Sequence, residues 1–139
     1  MTTMKPVVRA LAVLGLALLV MALNVGASVL YMVFYSLAIA PGHDPAHYDA
    51  HVQVAAPWSS IIVGAPLMYF AARWSSKRLG RRAATMIAVA YVAIDFTILL
   101  AAGAFPRLAL IAILSFSTKL AAAWLGANSG SRPGTTART

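Results

Sequence analysis

Two groups of residues in this sequence have types and spacings that chemistry could use. The first is a pair of charges set inside apolar stretches, Asp95 in YVAIDFTILL and Lys119 in SFSTKLAAAW. A charge at bilayer depth is costly unless paired or hydrated, so such residues face a bundle interior, hold one another, or mark an ion pathway. If the two stretches are antiparallel helices turning near Ala104, Asp95 lies level with about Leu114, and Lys119 with about Ala90. That offset is roughly 7 Å, which a lysine stem bridges in part. Tyr91 stands one turn before Asp95, and Ser115 one turn before Lys119, so each charge has a polar neighbour on its own face. Asn24 and Ser28 can join this cluster from the first helix. The plain reading is an internal ion pair that fixes packing, or a lysine snorkelling to the interface. The functional reading is a proton or ion pathway.

The second group is GHDPAHYDAH, which holds all three histidines, His43, His47 and His51, together with Asp44 and Asp49. A spacing of four stacks His47 and His51 on one helical face, an arrangement suited to a divalent metal. Asp44 before Pro45 reads as an N-cap with proline at the first helical position, so His43 precedes the helix and must fold back to join a site. Against the metal stand an exposed polar tip and a pH-sensing loop. No cofactor is expected beyond that candidate divalent ion. Haem held by one histidine here and one at membrane depth is not expected, since no other apolar stretch contains histidine.

Catalysis has no foothold in the motifs. There is no Ser-His-Asp order, P-loop, glycine-rich dinucleotide turn or HExxH. Without cysteine there are no disulfides, thiolate metal sites or thiol redox chemistry.

What must position these residues is a membrane bundle. The chain is 61% hydrophobic and 10% charged, with mean hydropathy +0.81, whereas a soluble domain carries about a quarter charged residues. Net charge +8 does not imply nucleic acid, because the cations sit at the ends of apolar spans without interleaved aromatics.

The first span reads from about residue 8 to 40, interrupted only by Asn24, Ser28 and Ser36. As a helix from Pro6 to Ala40 it measures roughly 50 Å, longer than a bilayer core, so it tilts, kinks near Gly26 or projects. A signal peptide cleaved after Val25-Gly26-Ala27 is the alternative; apolar residues continuing past that point favour an uncleaved helix. Pro41-Gly42 ends this helix, and the second runs over about 45–79. The two form a hairpin standing about 15 Å above the membrane. Pro57 and Pro66 each remove a backbone donor inside the second span, where neighbours must satisfy the freed carbonyls. Ala56, Ser60 and Gly64 make a small-residue stripe for close helix packing. Trp58 and Trp74 lie roughly 24 Å apart on a helix, one at each interface. Asn24, Ser28, Tyr31 and Tyr35 share a face of the first helix as a packing stripe.

Gly80 ends the second helix inside a block of positive charge. The third and fourth spans read as about 83–104 and 106–126, antiparallel neighbours across a very short turn. These make one membrane domain over 1–127. The remainder, 128–139, NSGSRPGTTART, is a disordered tail by composition.

Basic residues set the orientation. Two precede the first helix core (Lys5, Arg9), five follow the second (Arg73, Lys77, Arg78, Arg81, Arg82), and two lie in the tail. Only Arg107 lies on the opposite side. Nine against one places both termini in the cytoplasm, with the hairpin outside. The same bias argues against a dual-topology dimeric transporter. The expectation is an all-α, four-helix, antiparallel membrane bundle of bacterial inner-membrane type with an extracytoplasmic hairpin. Its partners are the lipid bilayer and a membrane-protein partner or a second copy, with no nucleic acid. A non-enzymatic accessory or scaffold role leads; a small oligomeric transporter or channel using Asp95 and Lys119 follows; a metal-binding role is third.

Overall fold

Apolar composition without strand alternation dictates helix, and a computed structural model of the chain, which describes residues 6–130, is helical through every such stretch. Helix α1 covers Pro6–Phe34 and runs through Gly26 as one helix. Its end widens into a π-helical turn, Tyr35–Ile39, where the Ala40 amide donates to the Tyr35 carbonyl at 2.9 Å. Gly42 then takes φ 78° in the reversal, a conformation that glycine adopts without a Cβ clash. Asp44 caps α2 (Pro45–Ile62), its carboxylate accepting the His47 amide at 3.0 Å.

The second span is two helices rather than one, α2 and α3 (Gly64–Leu79), divided at Val63. Pro66 is the cause, because it offers no N–H to the Ile62 carbonyl one turn earlier. Regular bonding resumes where the Leu67 amide reaches the Val63 carbonyl at 3.2 Å. Pro57, by contrast, sits inside α2 without ending it.

Gly80 at φ 87° and Gly103 at φ 64° punctuate the remaining chain into α4 (Arg81–Ala101) and α5 (Phe105–Gly130). Both differ from the sequence expectation. Helix α4 begins two residues early and closes at Ala101, leaving 102–104 to the reversal. Helix α5 runs on through Asn128 and Ser129, residues whose composition suggests disorder; the rest of that tail, 131–139, lies outside the described residues. Packing explains the extension. A Cβ on Gly126 would run into the Tyr69 carbonyl, and one on Gly130 into the Ser76 hydroxyl and the Arg73 carbonyl. The last turns of α5 are therefore pressed onto the backbone of α3, which holds them helical.

Four helical segments, Pro6–Ile39, Pro45–Leu79, Arg81–Ala101 and Pro106–Gly130, are long and apolar enough to cross a membrane. This is the build of a multi-pass membrane protein. Helices α3 and α5 run in the same direction in the most extensive contact of the bundle, α4 packs on both, and α1 covers α4. The core they share is rich in alanine, with Ala17, Ala72, Ala84, Ala88, Ala123 and Ala127 around Met68, Ile87 and Tyr91. Small residues let helix backbones approach closely, which is how helices associate where lipid removes the hydrophobic drive. Large apolar side chains such as Leu11, Leu18, Leu30, Phe70, Ile98 and Leu110 point outward.

The bundle is more closely packed in its basic half, the closed half, than toward the hairpin, the open half, although a cleft of about 400 Å³ lies between α1 and α4 at the basic end. At the basic end the Arg9 guanidinium donates to the Leu79 carbonyl at 2.7 Å, satisfying an end-of-helix acceptor. Toward the hairpin, α2 contributes no buried residue. The boundary between the closed and open halves is where the polar side chains gather.

Candidate functional site

Lys119 is the centre of that gathering. Its side chain is 0% exposed, and its ammonium donates to Ser60 Oγ at 2.8 Å and Ser115 Oγ at 2.9 Å. Asp95 Oδ2 lies 3.9 Å from the ammonium, and the Tyr91 ring centroid 4.6 Å away. The direction follows from helix geometry. Cα–Cβ bonds tilt toward a helix N-terminus, so Lys119 leans back over Ser115, one turn earlier, and toward Asp95. That lean closes the offset expected between the two charges, and it turns the ammonium into the bundle instead of to an interface. The stem needs room. A Cβ on Gly64 would stand 2.7 Å from Lys119 Cε and 3.2 Å from Asn24 Oδ1, so glycine at that position makes the seat.

Asn24 extends the network from α1. It is 6% exposed, and its amide donates to Ser60 Oγ and to the Tyr91 hydroxyl, both at 3.1 Å. Both N–H groups of the amide are thereby used, while the buried Oδ1 has no hydrogen-bond partner. Ser28 donates to the Asn24 carbonyl at 3.2 Å and shares a 2.6 Å hydrogen bond with Ser59. The structure thus brings Asn24, Tyr91, Asp95, Ser115 and Lys119 into one cluster, with Ser28 at its edge. Ser60 is its hub, accepting from both Asn24 and Lys119. As a member of a small-residue stripe, Ser60 gave no sign of that role; its i−4 relation to Gly64 is the only local signal. Ala56 of the same stripe makes no such contact.

Asp95 differs from its partner in exposure, at 35%. It lies six residues before the end of α4, or about 9 Å along the helix axis, and four residues past its middle. Two clefts meet at it. One, of about 690 Å³, runs between α1 and α2 from Tyr48 and Asp49 down to Asn24, Ser60 and Asp95. The other, of about 780 Å³, lies between α2, α4 and α5 and reaches from Arg107 to Ser60, Ser115 and Asp95. Ala56 lines both.

The histidines are engaged elsewhere. Tyr31 and His51 share a 3.0 Å hydrogen bond through Nε2, as do Tyr35 and His47 at 3.3 Å. The Tyr35 and His51 rings stack at 3.7 Å and 4°, and His43 stacks on His47 at 4.2 Å. Tyr48 closes the tip by donating to the Ala40 carbonyl at 2.7 Å. The stripe Asn24, Ser28, Tyr31, Tyr35 is thus the face of α1 that holds α2. No three histidine or acidic side chains among the described residues converge where an ion could be held; Asp49 lines the first cleft instead.

Arg73, Lys77, Arg78, Arg81 and Arg82 surround the α3–α4 turn, with Arg78 5.2 Å over the Trp74 ring. No protein-family model, curated protein or solved structure matches this chain.

Proposed function

We propose that this protein is a small membrane transporter, or the carrier subunit of one, whose coupling site is the Asp95–Lys119 pair. One observation carries the reading: Asp95, 35% exposed, lines two clefts whose lining extends to residues on the hairpin side, while its counter-charge is wholly buried behind it. A structural ion pair has no need of access from outside, whereas a coupling group does. The chemistry is competition. A proton or cation reaching Asp95 takes the one carboxylate near Lys119 and leaves a buried ammonium without a counter-charge. The closed, alanine-packed half of the bundle must then repack to relieve it, and this links occupancy to conformation.

The charge asymmetry supplies the direction. With the basic end cytoplasmic, the clefts open outward in a plasma membrane of the bacterial inner-membrane kind. The accessory or scaffold reading keeps one observation in its favour: α2 buries nothing within the chain, which leaves a face for a partner or a second copy.

The test is flux in proteoliposomes. Wild-type protein should dissipate an imposed pH gradient, and Asp95→Asn/Lys119→Met, which removes both charges together, should keep its helix content and lose the flux. A wild-type protein that leaves the gradient intact, yet co-purifies stoichiometrically with another membrane protein, would replace transport by scaffolding.

A further inference from the structure

The cleft of about 400 Å³ between α1 and α4 is separate from the two that meet at Asp95. Both helices start at the basic end and run the same way, and each lends the cleft one stripe of side chains. On α1, Arg9 and Val13 stand one turn apart; on α4, Arg82, Met86 and Ala90 follow at steps of four. The groove is therefore polar at one end only. Two guanidiniums lie at the basic end, and above them the walls are Val13, Leu14, Met86 and Ala90. From Arg82 to Ala90 the groove rises about 12 Å, against roughly 15 Å of hydrocarbon in one leaflet.

No carboxylate answers these charges. The chain has three acidic residues, of which Asp44 and Asp49 belong to the hairpin and Asp95 stands beside Lys119. Arg9 is held in place by its bond to the Leu79 carbonyl, which leaves further N–H groups on the guanidinium to donate. The Arg82 side chain makes no hydrogen bond or ion pair with a described residue. Their depth suits a headgroup. Trp74, half-exposed with Arg78 over its ring, is the interfacial indole of this end. It precedes Leu79 by five residues, or about 8 Å along α3 toward the bilayer centre, so the guanidiniums lie on the headgroup side of it.

We propose that this groove is a site for one anionic phospholipid of the leaflet at the basic end. Its phosphodiester accepts hydrogen bonds from Arg9 and Arg82, for which the planar guanidinium is well shaped. One acyl chain lies along the aliphatic walls above. Basic pockets between spans hold acidic headgroups by the same combination of charge and cover. A zwitterionic lipid is disfavoured, because its ammonium meets cations and has no carboxylate to receive it. The layout also favours a lipid over a protein segment: charge is confined to headgroup depth, and the rest is a narrow apolar channel along the membrane normal. The site stands or falls independently of the Asp95 reading.

The test is native mass spectrometry of the full chain in detergent, titrated with phosphatidylglycerol or with phosphatidylethanolamine of the same acyl chains. One tightly held phosphatidylglycerol per chain is expected, bound about tenfold or more above phosphatidylethanolamine. Arg9→Gln/Arg82→Gln should weaken it about tenfold or more, the loss of hydrogen bonds between charged groups. Lys77→Gln/Arg81→Gln removes two neighbouring cations outside the groove and should leave it unchanged. Since Arg9 also ties α1 to the end of α3, Arg82→Gln alone separates binding from folding: it should weaken binding with helix content intact. Ala10→Leu, at an exposed position in the groove wall, fills the channel without altering charge and should weaken the lipid too. Equal binding of the two lipids, equal losses from the two double variants, or displacement by inorganic phosphate with Ala10→Leu silent would overturn the proposal.

Discussion

A lysine with no exposed atom in a bilayer-spanning helix is stable only through its immediate neighbours, and here these are two serine hydroxyls, a tyrosine ring and one carboxylate. The glycine that seats its stem is part of the same device. Removing the carboxylate alone should therefore be worse than removing both charges. Asp95→Asn should lower stability in detergent by about 2 kcal/mol, less than for a fully buried pair because Asp95 is partly exposed. Asp95→Asn/Lys119→Met should recover most of that loss, and thermal melts of the two variants make the comparison. Equal destabilisation by single and double changes would show that the residues are uncoupled. Of this cluster, the charges, Tyr91, Ser115 and Asn24 were legible because helical spacing and apolar surroundings expose them. Ser60 and Gly64 were not, because serine and glycine in a span read equally as packing. Only the third dimension shows that one of them bonds two donors and the other clears a lysine.

At the scale of elements, the spans were readable from length and apolarity, but the division of the second at Val63 was not, because Pro57 and Pro66 carry the same signal and only Pro66 ends a helix. Nor was the end of α5. Asn128, Ser129 and Gly130 have loop composition, yet they are helical because Gly126 and Gly130 lie against the α3 backbone. The π-helical turn at Tyr35–Ile39 likewise has no local signal; it falls where Tyr35 must meet His47, Tyr48 and His51. Glycines in this chain should accordingly divide by sign. Gly126→Ala forces a Cβ onto the Tyr69 carbonyl and should cost about 1–3 kcal/mol by overpacking. Gly26→Ala meets nothing within 4 Å on α1 and should stabilise, by up to about 1 kcal/mol from helix propensity. Melting temperatures moving in opposite directions would bear this out; two losses of equal size would not.

For the whole molecule, the account turns on an asymmetry along the membrane normal. Cations and close alanine packing lie at one end. The acids, the two clefts that meet at Asp95 and a helix that buries nothing lie toward the other. On the proposed reading Asp95 is reached from the hairpin side, and the positive-inside tendency would make that side external. Because the sequence contains no cysteine, a single introduced thiol reports its own position without background. Ala56→Cys lines both clefts, and Ala123→Cys lies in the closed half, where Ala123 is 0% exposed. The most direct measurement is reaction of these two variants in intact cells with a cationic, membrane-impermeant thiol reagent. The account predicts that Ala56→Cys is modified from outside and Ala123→Cys is not. A silent Ala56→Cys, or one that reacts only after the cytoplasmic side is opened, would contradict it.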